Sequence, residues 1–151
     1  MHVNCLCDKS LYLKAGGADP RIFIQDESFP LRLAYHAKRF VALKEATIFA
    51  PKRHLASLSA KPHQAHHDRF LDYQNALDDF TKISAQDAKT LYQKAISTVW
   101  KAKRHKAGLA KYVFLLYYLY VSWFKPKPNL AYLAYLNHHY ISQLNDVRKT
   151  Y

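Results

Sequence analysis

Glycine is scarce in this chain. Its 151 residues include three glycines and six prolines, too few for the many tight turns of a sandwich or barrel. Its alanines, leucines, lysines and tyrosines suit helices. Cysteine is scarcer still, with two in all, Cys5 and Cys7. One intervening residue is too short for an easy disulfide. It is also a poor start for a zinc site, which wants about two to four residues between paired cysteines and two more ligands, even with His2 nearby. We expect free, partly buried thiols in a reducing, intracellular setting, and therefore a cytoplasmic protein. The Met1-His2-Val3-Asn4 start lacks the basic-then-apolar pattern of a secretory signal, so none is expected.

Nucleotide and catalytic motifs are missing too. There is no G-x-x-x-x-G-K-[ST] phosphate loop and no G-x-S-x-G nucleophile elbow. No arginine is followed after four to six residues by histidine, as in helical RNases; Arg32 and His36, with three residues between, come nearest. The acids are scattered, and no pair can be placed in an active site. We expect neither an enzyme nor a cofactor, because no nucleophile or base constellation survives.

Acid is the shortage that says most. Eleven Asp and Glu face 23 Lys and Arg, for a formal charge of +12 and a pI near 9.7. A domain this basic repels itself and attracts polyanions. Nucleic acid is the commonest such partner, ahead of an anionic membrane or an acidic protein surface.

Half of the residues are apolar, enough for one core and against wholesale disorder. The pattern predicts a mainly α fold: a bundle of about four to five helices (31–151) preceded by a non-helical arm (1–30), all in one domain. In the arm, Ser10 to Lys14 and Arg21 to Gln25 read as short strands. Ala15-Gly16-Gly17-Ala18-Asp19-Pro20 reads as the turn between them, giving a β-hairpin or an extended arm.

The first helix is expected over 31–50, opened by Pro30 and closed by Pro51, with Arg32, His36 and Arg39 on one face. A basic, histidine-rich connection follows over 51–66. A second helix over 67–83 carries Asp68, Asp72, Asp78 and Asp79, with Phe70, Leu71, Ala76, Leu77 and Phe80 on its apolar side. Ser84-Ala85-Gln86-Asp87 is a capping-box signal for the third helix. That helix has an apolar stripe of Ala88, Leu91, Tyr92, Ala95, Val99 and Ala102, and Lys94, Ser97, Lys101 and Arg104 on another face.

After a break at Gly108 comes an unbroken apolar and aromatic run from Tyr112 to Phe124, interrupted only by Ser122. A membrane span needs about 20 apolar residues, so no span is expected, and an all-round apolar helix belongs in the middle of a bundle. Lys125-Pro126-Lys127-Pro128 stops it. The last helix is expected over 129–148. Its stripe is Leu130, Leu133, Asn137, Ile141, Leu144 and Val147, with Tyr132, Tyr135 and His139 on a second, aromatic one.

Two constellations have chemical content. Trp100-Lys101-Ala102-Lys103-Arg104-His105-Lys106 mixes cations that neutralise phosphates with a ring that can stack on an unpaired base. His63, His66, His67 and Asp68 have helical ligand spacing, but Gln64 stands where a zincin needs Glu. His67-Asp68 also invites comparison with metal-dependent HD phosphohydrolases, with His36 upstream and Asp87 downstream as further ligands. A polar helix start explains the same residues, and no metal is expected.

The leading expectation is a nucleic-acid-binding accessory protein, or a small helical subunit of a nucleoprotein complex. It would grip the phosphate backbone with Arg32, Arg39, Lys52, Arg53, Lys94, Lys101, Lys103, Arg104 and Lys106, and so present a continuous basic face from the first and third helices and the 51–66 connection. No sequence-reading motif is present, so shape and charge would dominate. The alternatives are a protein-binding inhibitor or adaptor that docks its tyrosine-rich helices on an acidic partner, and a metal-dependent hydrolase.

Overall fold

The computed structural model describes residues 6–39, 41, 62–104 and 108–145. The described chain is helical, with no strand among these residues. Among the described residues six α-helices run in the order α1 (Lys9–Lys14), α2 (Gln25–His36), α3 (Pro62–Asp79), α4 (Ala85–Lys103), α5 (Ala110–Phe124) and α6 (Leu130–Leu136). A π-turn (Asn137–Ile141) and a 3-10 turn (Ser142–Leu144) carry α6 onward.

The N-terminal β-hairpin is not formed. Ser10 to Lys14 belong to α1, and Arg21 to Ile24 form a turn and bend that lead into α2, which Gln25 opens. The glycine pair read as a hairpin turn is a helix stop. Gly16 and Gly17 take positive φ (79° and 61°), and their amides bond back to Leu13 O and Tyr12 O at 3.0 Å. Left-handed glycines closing the last turn are a common helix C-terminus. A short apolar run beside Gly-Gly has the same composition in either fold, and here the local helix wins.

The next segment is tied by side chains rather than by a sheet. Asp19, buried, accepts from Arg21 N at 2.9 Å and Nε at 3.0 Å, and its own amide donates to Gln25 Oε1 at 2.8 Å. Burial raises the Asp19 pKa, but the Arg21 bonds outweigh it and hold the carboxyl below its usual value.

The first long helix also differs from expectation. It opens at Gln25, contains Pro30 instead of starting after it, and stops at His36, where Ala37 turns extended. Arg39 therefore lies past its end, and the face of Arg32, His36 and Arg39 is not built. Residues 42–50 of the expected helix lie outside the described residues, as does 51–61 of the basic connection. A stacked pair, Tyr35 on Phe80 at 4.0 Å, and a bond from Lys82 N to Tyr35 Oη at 3.0 Å pin the end of α2 to the α3–α4 turn.

The centre of the molecule is the antiparallel pair α3–α4. Pro62 is the first residue of α3, where a missing N–H costs nothing. The helix therefore starts earlier than 67, and it ends at Asp79 rather than 83. Ser84 caps α4 as the sequence signal indicates: its Oγ accepts from Asp87 N at 3.0 Å and donates to Asp87 Oδ2 at 2.7 Å. Leu91, Tyr92, Ala95 and Val99 of the anticipated stripe are buried, with Ala88 and Ala102 half-buried beside them.

The core joins Phe70 of α3, Tyr92, Ala95, Ile96 and Val99 of α4, Val121 of α5, and Leu133, Leu136, Ile141 and Leu144 of the last segment. The Tyr92 and Tyr117 hydroxyls meet at 2.7 Å inside it. Burial, and then the bond to Tyr117, raise the Tyr92 pKa well above the usual phenol value.

Helix α5 corrects a further expectation. It packs on α4 at the edge of the bundle, not in its middle. Val121 is its one fully buried residue among those described, while Val113 and Leu116 are each 65 % exposed, Phe124 70 % and Trp123 75 %. An apolar composition all round shows that a helix has no polar face to give to water. It does not decide how much of the rest of the chain is available to cover it. Among the described residues no helix is long and apolar enough to cross a membrane.

Asn129 caps α6 by accepting from Tyr132 N at 2.9 Å, and Asn137 Nδ2 donates to Gln74 Oε1 at 3.1 Å, locking the π-turn to α3. The last helix is thus interrupted at Asn137, and 146–148 of its expected length lie outside the described residues.

Candidate nucleic-acid interface

The structure brings the α4 cations together and separates them from the rest. Lys94, Lys101 and Arg104 are exposed on one side of α4 and at its C-terminal end, and Lys103 places its ammonium 4.6 Å from the centre of the Tyr140 ring. Cations in a last helical turn are also favoured by the helix dipole.

Because α3 runs antiparallel to α4, its N-terminal turns reach the same end. There His63, His66 and Arg69 join Lys101 and Arg104. All four neighbours act on His66: burial lowers its pKa most, and the charges of Arg69, His63, Arg104 and Lys101 lower it further. Its Nδ1 is shut from solvent without a hydrogen-bond partner. Burial first, and then the positive charges around it, disfavour the protonated imidazole.

Arg69 was not among the residues picked from the sequence, and His66 was weighed there only as a metal ligand. Arg69 stands in the acidic helix, with Asp68 before it and Asp72 after it, and nothing local marks it. Only the antiparallel pairing of α3 and α4 carries it to the basic end.

Arg32 is elsewhere. Its Nη1 donates to Ala15 O at 2.8 Å and its Nη2 to Ser28 Oγ at 3.3 Å, so its guanidinium fastens α1 to α2. It borders a groove of about 620 Å³ shared with Tyr35, Phe80 and Thr81. That groove lies at the α3–α4 turn, roughly 25 Å along α4 from Lys101 at 1.5 Å per residue. The expected continuous face from the first and third helices is therefore split between opposite ends of the hairpin. Arg39 is exposed beyond α2. Lys52, Arg53 and Lys106 lie outside the described residues.

Within the His63–Asp68 group, Gln64, His67 and Asp68 form a structural junction. Asp68 is fully buried, and its Oδ2 accepts from Phe23 N at 3.1 Å and Ile24 N at 2.7 Å. Its Oδ1 accepts from Gln64 Nε2 and from His67 Nδ1, both at 2.7 Å. These four donors occupy both carboxylate oxygens and clamp the segment before α2 onto α3. Among the described residues no group of three or more His, Cys, Asp or Glu has metal-holding geometry. Trp100 is half-buried, and Cys7 is a free thiol that is exposed, not partly buried as expected. Cys5 and His2 lie outside the described residues.

The charge distribution along the chain sharpens this picture. Of the eleven acids, all but Asp146 occur at or before Asp87. From Ala88 to Asn145 there is none, while Lys89, Lys94, Lys101, Lys103, Arg104, Lys106, Lys111, Lys125 and Lys127 all fall there.

No family model, curated protein sequence or solved structure matches this chain.

Proposed function

We propose that this protein binds nucleic acid through the basic end of the α3–α4 hairpin. It would act as an accessory protein or small subunit of a cytoplasmic nucleoprotein complex and grip phosphates without strong readout of bases. The observation that carries this reading is the convergence of exposed Lys94, Lys101 and Arg104 of α4 with His63, His66 and Arg69 of α3 at one end of the hairpin. Cations in such a setting release condensed counterions when they meet phosphate, which is the main source of non-specific affinity. Arg32 belongs to the fold on this reading, and the grip is concentrated at one end.

The test is binding to labelled single- and double-stranded DNA and RNA over a range of salt. The control is Lys94, Lys101 and Arg104 replaced together by Ala. All three are exposed, so the fold should survive. The expected result is steeply salt-dependent binding by the wild type, with the slope of log affinity against log salt reduced by roughly 0.7–0.9 for each contact removed. Absence of binding at about 50 mM salt, or an unchanged slope in the variant, rejects the reading.

A second reading has one observation behind it. The exposed ridge on α5 is what an interaction protein that docks on another surface would show.

A further inference from the structure

We propose that the open ridge of α5 docks on the surface of an anionic lipid bilayer, lying in the interface without crossing it. Leu109, Val113, Leu116, Tyr120, Trp123 and Phe124 are all exposed, and at 3.6 residues per turn they fall within an arc of about 120°. No polar or charged residue interrupts that arc. Six adjacent exposed apolar side chains, three of them aromatic, make a contiguous apolar patch of the kind that marks an interaction surface.

Charge selects the occupant. Exposed Lys125 and Lys127 stand just past the C-terminal end of α5. No acid lies nearby in sequence, because none occurs from Ala88 to Asn145. A second copy would bring together two molecules of formal charge +12 each, with no acid between Ala88 and Asn145 to pair their lysines. The surface that fits is negative.

Hydrogen bonding then separates lipid from protein. A protein interface forms about one hydrogen bond per 100–200 Å² and has a polar rim. This ridge offers only the Tyr120 hydroxyl and the Trp123 N–H. A bilayer interface asks for no more than that: aliphatic and aromatic side chains at the acyl boundary, amphipathic rings at headgroup depth, and lysines reaching phosphate. The 15 residues of α5 span about 22 Å, short of the roughly 30 Å of hydrocarbon but ample for a helix lying flat. The contact uses a different face from the nucleic-acid reading and does not depend on it.

The test is flotation of the full chain with vesicles of phosphatidylcholine alone and of phosphatidylcholine with a quarter phosphatidylglycerol. Trp123 emission is read in a Trp100→Phe background. The expected result is binding to the anionic vesicles only, with a blue shift of Trp123 and quenching by brominated acyl chains. Val113→Ser/Leu116→Ser, both at exposed positions, should weaken binding at least tenfold and leave the melting temperature and the nucleic-acid affinity unchanged. Anionic-vesicle binding without a Trp123 shift overturns the proposal, since charge alone would then hold the protein. So does a wild-type dimer that the serine variant abolishes. Indifference to both vesicle types also overturns it and leaves an acidic protein groove as the occupant.

Discussion

Helices α4 and α5 are neighbours in sequence and in space, yet they meet water in opposite ways. In α4, apolar residues recur at helical spacing, and the buried set (Leu91, Tyr92, Ala95, Ile96, Val99) lies opposite exposed Lys94, Lys101 and Arg104. In α5, apolar residues occur at nearly every position, and only Val121 is fully buried among those described. Periodicity therefore predicted burial in this chain, and total hydrophobicity did not. A period records which side faces the core. A uniform run records only that some surface must cover the helix, and that surface can lie outside the molecule.

The sharpest way to break this contrast is to place the same charge in both helices. Val99→Asp puts an unpaired carboxylate into the core and should cost about 5 kcal/mol or more, enough to unfold a marginal domain; urea titration followed by circular dichroism reads it. A Val99→Asp protein of wild-type stability would show that α4 does not face the core.

Next in size is the junction that holds α2 to the hairpin. Asp68→Ala leaves the amides of Phe23 and Ile24, Gln64 Nε2 and His67 Nδ1 without their acceptor, and should cost about 3–5 kcal/mol. Asp68→Asn keeps acceptor capacity at one oxygen and should fall between. Equal midpoints for Asp68→Ala and the wild type would remove the junction from the account.

A smaller effect tests the basic end. The His66 pKa is depressed in the folded protein, by burial first and then by Arg69 and His63 on α3 and Arg104 and Lys101 on α4. The unfolded chain, with a histidine pKa near about 6.5, binds more protons in that window. Stability should therefore decline as pH falls below about 6.5. A bound polyanion reverses the field and raises the His66 pKa, so affinity for nucleic acid should rise over the same range. In His66→Gln both trends should flatten, and opposite trends that survive unchanged in this variant would assign them to another group.

The smallest effect completes the comparison. Val113→Asp, on the open ridge of α5, should change stability by no more than about 0.5 kcal/mol. A large loss there would mean that the ridge is covered within the molecule.

Local signals were legible wherever they were self-contained. The Ser84 cap, the α4 stripe, the break at Gly108 and the stop after Phe124 all depend on residues within a turn or two, and all stand in the structure. Signals whose meaning depends on distant partners were not. Gly16-Gly17 closes a helix because α1 has residues to bond back to, not because two strands meet. Arg32 looks like any other surface cation until Ala15 O and Ser28 Oγ are placed against it. Arg69 reaches the basic end only through the antiparallel return of α4, and the role of Asp68 as a clamp was hidden because the amides it holds lie 44 and 45 residues away.

The acid-free stretch from Ala88 to Asn145 has a mechanical consequence. A body whose positive charge is displaced from its centre carries a permanent dipole moment and feels a torque in a non-uniform field as well as a pull. Near a polyanion it would rotate before it touches, so that collisions which begin back-to-front are corrected in flight. Because ions screen that field over about 10 Å at 0.1 M salt, the alignment acts only in the last few solvent layers, where it raises the share of encounters that end in contact.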